Sequence, residues 1–296
     1  MSAQGPIAVT GASGRLGRAV VQALEERGVE VRRWSRPDYD LDDPGVAGDI
    51  VDRDRPTTVI HCAAWTDVDG CARDPELAMR RNSVAVGELG EACARRGIRM
   101  LLVSTNEVFD GKSRVENGYA ETDETGPINP YGVSKLSGEQ ALRRAFGGAE
   151  DAACWVVRTA WLFGPPGNDF PSKILAAADR AGPGESIPVV ADEVGSPTLT
   201  TDLAPAIIQV VDRAPAGTYH LANGGRASRA DLADRVLARC GREVLVRRIR
   251  QQDYVRASKP PAWAVLDTSR AERLGISLRS WDIALDDYLA ATCPER

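Results

Sequence analysis

The chain has 296 residues, 43% of them apolar and 27% charged, with a formal net charge of −5. That length supports one large or two modest domains around a sizeable core, and the acidic balance excludes a general nucleic-acid binder, whose surface would be basic. No apolar run approaches the roughly 18 residues of a membrane span, so neither nucleic acid nor membrane is an expected partner.

The opening "MSAQGPIAVTG" has no basic segment followed by an apolar one, so no signal peptide is expected. "IAVT" (Ile7–Thr10) reads as a strand, followed by a Gly-rich turn and a helical pattern to Arg27, where Gly28 makes a natural stop. "VEVRRW" and "TTVIHCAAW" are the second and third strands, and "PELAMRRNSVAVGELGEACARRG" is one long helix with Pro75 in its first turn. "RMLLVST" is the fourth strand, "YGVSKLSGEQALRRAF" a helix, and "ACWVVRTAWLFG" the fifth strand. Strands alternating with helices are the signature of βαβ units. The expected fold class is α/β, a Rossmann-like doubly wound parallel sheet.

Beyond Gly164 the rhythm changes. The Pro-rich segment 165–200 reads as ligand-facing loops, "GTYHLAN" (217–223) as one more central strand, and 226–262 as a helix plus the strand "EVLVRRI". A dinucleotide-binding domain is therefore expected over 1–164 plus about 201–225. A smaller carboxy-terminal substrate-binding domain would be assembled from about 165–200 and 226–296. The five arginines of "RCGREVLVRRIR" read as one strand's solvent face.

The six cysteines are scattered without a C-x-x-C pair, and with only His61 and His220 available a metal site is not expected. Both histidines read as packed at strand ends. The chain reads as cytoplasmic and reduced. In the acidic loop Asn117–Pro127 a solvated surface outweighs a divalent-cation site.

Three groups of residues point to chemistry. "TGASGRLG" puts glycines at 11, 14 and 17 between a strand and a helix, where the backbone can approach a pyrophosphate lying on the helix N-terminus. At the tip of the second strand, "VRRWSRPD" offers Ser35 and Arg36 and no acid before Asp38. Arg accepts a ribose 2′-phosphate, whereas NAD enzymes usually place an acid there, so NADPH is expected ahead of NADH. In "NPYGVSKLSGE", Tyr131 and Lys135 share one helix face. Lowering the phenol by about three pH units takes roughly 4 kcal/mol, which a nearby lysine and an oxidised nicotinamide can supply. Thr105, at the tip of the fourth strand, can hold the substrate oxygen that Tyr131 protonates during hydride transfer.

From Ile7 to Tyr288 these and further stretches resemble the dTDP-4-dehydrorhamnose reductase family of extended short-chain dehydrogenase/reductases. "VIHCAAWTDVDGCARDPELAMRRN" looks like its segment behind the nicotinamide, "STNEVFDG" is similar to its "STDYVFDG", and "PINPYGVSKLSGE" matches its catalytic helix. "VVRTAWLFG", "NDFPSKIL", "ADEVGSPTLTTDLA", "LDTSRAERLGI" and "SWDIALDDYL" follow in the family's order.

The resemblance implies reduction of a nucleotide-linked 4-keto-6-deoxyhexose, with Thr105, Tyr131 and Lys135 catalytic. It further implies that Gly11, Ser13, Gly14, Arg15, Leu16 and Gly17 cradle the cofactor phosphates, and that Ala63, Ala64 and Thr66 line its ribose path. Trp161 would face the sugar, against the alternative of a plain core aromatic. Lys173, Ser196 and Thr198 are candidates for the substrate diphosphate.

Asn106 and Glu107 depart from the family, which has Asp and Tyr there. The related 4,6-dehydratases carry "STDEV" and use the Asp–Glu pair for elimination. Asn106 cannot donate and accept a proton as a carboxyl does, so a dehydratase is disfavoured. Glu107 then either contacts a sugar hydroxyl or is solvated. A 4-ketoreductase for another dTDP-deoxysugar and a non-catalytic NADP-binding regulatory subunit are the competing readings. A homodimer fits the family as well as a monomer does.

Overall fold

Six of the expected strands meet in one sheet in the computed structural model, which describes residues 5–112, 116–148 and 153–293. They are β1 (Ile7–Thr10), β2 (Val31–Trp34), β3 (Thr58–His61), β4 (Arg99–Thr105), β5 (Cys154–Thr159) and β6 (Gly217–His220). All pair in parallel, in the order β6-β5-β4-β3-β1-β2. β6 is thus an edge strand of the central sheet. Parallel strands need both faces covered, and the all-buried runs of β1, β3 and β5 satisfy that requirement. On one face Val9, Leu101 and Val157 pack under α1 (Arg15–Glu26) and Leu203 and Ile207 of a later helix. On the other, Ala8, Met100 and Val156 meet Leu89 and Leu142.

The chain leaves β1 in one direction to form β2, then crosses to the opposite side of β1 for β3. In such sheets ligands bind in the crevice at the carboxyl ends of the strands, where the order reverses.

The expected helix over "PELAMRRNSVAVGELGEACARRG" carries a π-helical turn at Arg80–Val84 between Pro75–Met79 and Ala85–Ala94. Asn82 in that turn points inward. Its amide donates to Trp65 O and Ser134 Oγ at 3.0 Å each and accepts from Trp65 N at 2.8 Å. The strand read through Gly164 ends at Thr159, because Trp161 adopts a left-handed φ of 45°. Leu162–Phe163 pair instead with Thr198–Leu199.

Segment 165–200 is not a set of loops. It holds the helix Phe170–Ala181, begun by Pro171 and capped by Asp169, whose carboxylate accepts from Ser172 N at 2.9 Å. A third apolar cluster, with Phe163, Ile174, Ile187, Leu232, Val236 and Leu285, forms beyond β5.

The expectation of uniformly reduced cysteines is also corrected. Cys240 and Cys293 are joined by a disulfide across 53 residues, with Cα atoms 5.5 Å apart. The ends of the helices Arg229–Arg239 and Trp281–Thr292 meet there, within the reach a disulfide requires. Among the described residues, no helix is long and apolar enough to cross a membrane.

Candidate active site

At the end of β1 the backbone turns through Gly11 at φ 62°. A Cβ at Gly11 would sit 2.9 Å from the Ala63 backbone, and one at Gly17 would sit 2.1 Å from Gly11 O. Both positions exclude any side chain, which lets α1 start directly against the strand tips. The loop borders two adjoining cavities of about 310 and 380 Å³ that share Gly11, Gly14, Cys62 and Ala64. Together they form a long cleft across the switch point, bordered by the Gly-rich loop.

The first cavity is lined by Ser13, Ser35, Arg36 and Ala63, with Asp40 and Arg81, neither singled out by the motifs. Ser13 N donates to Ser35 Oγ at 3.0 Å, so the loop and the β2 tip are fixed to one another. Arg32 and Arg33 pair with Glu30 and Glu25 on the flank of the sheet. Arg36 has no ion-pair partner within 4 Å among the described residues, and Arg81 is engaged with Asp42 at 2.6 Å. The residues present fit a dinucleotide carrying a 2′-phosphate beside Arg36.

The second cavity holds Arg15, Leu16, Gly17, Thr66, Thr105, Asn106, Glu107, Tyr131, Lys135 and Trp161. Arg15 does more than line it. Its guanidinium donates to Gly167 O at 2.6 Å and to Gly164 O at 3.2 Å, tying the phosphate loop to the segment after β5.

Tyr131 and Lys135 project from α2 (Pro130–Ala145), whose cap Asn129 accepts from Gly132 N at 2.8 Å. Tyr131, Lys135 and Glu139 follow at four-residue spacing and all three are buried. Glu139 accepts from Ser104 Oγ at 2.6 Å and from Arg158 at 3.0 and 2.7 Å. Lys135 Nζ donates to Val103 O at 2.8 Å, and burial lowers its pKa to about 8, with Glu139 opposing.

The expected lowering of Tyr131 by Lys135 is not what the protein's own residues do. Burial, reinforced by the Glu107 carboxylate, pushes the phenol above its ordinary value, and a hydrogen bond with Thr105 only partly offsets this. Tyr131 therefore stays protonated at neutral pH, the state a general acid requires.

Around this trio the remaining candidates separate. Asn106 is buried and its amide donates to Ala264 O at 2.9 Å, pinning the carboxy-terminal segment to the tip of β4. Glu107 accepts from Asn129 Nδ2 at 2.7 Å, and burial raises its pKa. Trp161 lies between Gly195, where a Cβ would be 2.6 Å from the indole, and the guanidinium of Arg229, 3.5 Å from its ring centroid.

Arg229 also lines the cavity. It begins a helix in a region read only as helical, and nothing in its local sequence marks it. Lys173 is exposed on the helix Phe170–Ala181 and lines neither cavity. Ser196 and Thr198 are buried, with Thr198 Oγ1 donating to Ser196 O at 3.0 Å, and they likewise line neither cavity. The structure does not bring these three to the cleft.

His61 and His220 are buried as expected, bonded to Thr10 and to the Tyr119 carbonyl. The acidic loop directs Asp123 to Ala120 N and Glu121 to His220 N. Arg242, Arg248 and Arg250 of the arginine-rich strand region pair with surface carboxylates.

Residues 5–293 match the family model described as the RmlD substrate binding domain. The chain belongs to the dTDP-4-dehydrorhamnose reductase family. A protein of that name from Mycolicibacterium smegmatis is 39% identical over 292 residues, covering 96% of this chain and 85% of its own. A dTDP-4-keto-6-deoxy-D-glucose reductase from Streptomyces niveus is 36% identical, covering 94% of each chain. The Bacillus anthracis dTDP-4-dehydrorhamnose reductase, solved in complex with NADP, superposes with a TM-score of 0.89 at 28% identity, covering 97% of this chain and 99% of its own. Family membership thus agrees with the buried Thr105–Tyr131–Lys135 group and the Gly-rich cleft.

Proposed function

We propose that the protein reduces the 4-keto group of a dTDP-linked 4-keto-6-deoxyhexose at the expense of NADPH, converting dTDP-4-dehydrorhamnose to dTDP-L-rhamnose. The observation that carries this reading is the grouping of Thr105, Tyr131 and Lys135 in a cavity continuous with the Gly11–Gly17 loop. A bound reduced nicotinamide supplies the hydride. Gly11, Gly14 and Gly17 leave room for its pyrophosphate, Ser35 and Arg36 hold the 2′-phosphate, and Lys135 holds ribose hydroxyls.

Thr105 hydrogen-bonds the substrate's keto oxygen, and Tyr131 delivers its phenolic proton to that oxygen as it becomes a hydroxyl. With a pKa of about 8, Lys135 exchanges protons near neutral pH and restores the tyrosine one helical turn away. With this goes a division of labour, residues 1–164 plus about 201–225 serving the dinucleotide and about 165–200 plus 226–296 the sugar nucleotide, in a cytoplasmic enzyme.

The relative from Streptomyces niveus, named for 4-keto-6-deoxyglucose, favours a second reading in which the hexose is a different 4-keto-6-deoxy epimer. Mixing the protein with dTDP-4-dehydrorhamnose and NADPH tests the first reading. Loss of nicotinamide absorbance that disappears in Tyr131→Phe supports it. No turnover despite NADPH binding would overturn it, and the proton couplings of the product separate the two sugars.

A further inference from the structure

Two side chains in the catalytic cavity have hydrogen-bonding capacity that the protein does not use. Glu107 takes one bond on Oε2 from Asn129 and none on Oε1 from any described residue. Arg229 lies over Trp161, its guanidinium carbon 3.5 Å from the ring centroid, and is anchored through its backbone N–H to Glu193 O at 3.3 Å. Its guanidinium donates no hydrogen bond to a described residue. The nearest carboxylate, Glu193, is 3.9 Å away and is engaged by Arg256. Both line the cavity that holds Tyr131 and Thr105, and the Glu107 carboxylate is close enough to Tyr131 to act on its phenol.

A free acceptor and free donors lining one cavity match a group that both donates and accepts, which is a hydroxyl. An anionic diphosphate is a poor match, because Glu107 would repel it. In a 4-keto-6-deoxyhexose the carbonyl carbon has two ring neighbours. C5 bears a methyl group and C3 a hydroxyl, so C3 offers the hydroxyl nearest the oxygen held by Thr105 and Tyr131.

We propose that Glu107 and Arg229 are a specificity-determining pair that reads the C3 hydroxyl of the keto-sugar and selects against 3-deoxy substrates. This rests on the 4-ketoreductase reading of the cavity. Glu107 accepts the hydroxyl's proton in a hydrogen bond and Arg229 donates to its oxygen. Trp161, itself backed by Gly195, holds the guanidinium over its ring at 3.5 Å. A 3-deoxy sugar leaves both polar groups desolvated without partners, and that loss is the source of discrimination.

The test compares dTDP-4-keto-6-deoxyhexose with its 3-deoxy analogue in the wild-type enzyme, Arg229→Leu and Glu107→Ala. Their thermal melts serve as the control for folding. The wild type is expected to favour the hydroxylated substrate by about 100-fold or more in kcat/KM. Each variant is expected to bring that ratio below about tenfold, chiefly through a higher KM for the hydroxylated sugar. A merely structural role would depress both substrates alike and leave the ratio unchanged, which would overturn the proposal, as would a wild-type ratio within about threefold. A calorimetric arm measures binding of the two corresponding 4-hydroxy products. If neither keto-sugar is turned over, the ketoreductase reading falls, and equal product affinities in this arm would overturn the pair as well.

Discussion

Lys135, buried where it lines the proposed catalytic cavity, weakens the fold that holds it. It is 2% exposed, and among the described residues its ammonium makes one hydrogen bond, to Val103 O at 2.8 Å. Burial lowers its pKa from 10.5 to about 8. At about 1.4 kcal/mol per pH unit, carrying that charge costs the folded state ~3 kcal/mol at neutral pH. Between about pH 8 and 10.5 the unfolded chain binds the proton that the folded chain has released. The penalty is therefore complete below pH 8 and fades as the pH rises to 10.5.

Lys135→Met removes the charge, fills similar space and forfeits a hydrogen bond worth ~1–2 kcal/mol. The variant should be more stable than its parent by about 1–2 kcal/mol at pH 7, a rise in Tm of roughly 3–6 °C. It should lose that advantage by about pH 10 and have no reductase activity. Urea unfolding of the cofactor-free proteins at the two pH values, followed by circular dichroism, measures this directly. A variant less stable than its parent at pH 7, or a difference between the two that is the same at both pH values, would refute the reasoning.

Three further outcomes follow from the same geometry. Glu139→Gln leaves the buried Arg158 guanidinium without its carboxylate and should cost about 3–5 kcal/mol in chemical denaturation, whereas Glu139→Met with Arg158→Met should cost less. Gly17→Ala drives a methyl group to within 2.1 Å of Gly11 O, so NADPH affinity measured by nicotinamide fluorescence should fall by about tenfold or more. Arg36→Ala should raise the KM for NADPH about tenfold and leave that for NADH nearly unchanged. Equal effects on the two cofactors would place the 2′-phosphate elsewhere.

What could be read from the sequence follows what is local. The strand–turn–helix around Gly11–Gly17 and the Tyr131–Lys135 face are set by residues within one turn of each other, so spacing alone locates them. The Pro171 helix start was hidden because proline marks helix N-termini as well as loops, and Asp169 as its cap was the signal that could have decided. The burial of Ser196 and Thr198 away from both cavities, the closure of Asn106 onto Ala264 and the Cys240–Cys293 bond all depend on contacts between distant segments. The same holds for the place of Arg229 in the cavity, where the turn after β5 brings Trp161 against it. The raised phenol of Tyr131 is not legible in the sequence for a related reason: helical spacing gives the Tyr131–Lys135 relation but not the Glu107 carboxylate that acts on it.

In the proposed reaction this cleft moves a hydride to C4 of the sugar while Tyr131 supplies the proton. A single-turnover reaction of dTDP-4-dehydrorhamnose with NADPH deuterated at the transferring position of C4, analysed by NMR, tests it most directly. The wild type should give one deuterium at C4 of the product, and Tyr131→Phe should give no labelled product. Unlabelled product in the wild type, or full labelling in the variant, would contradict it.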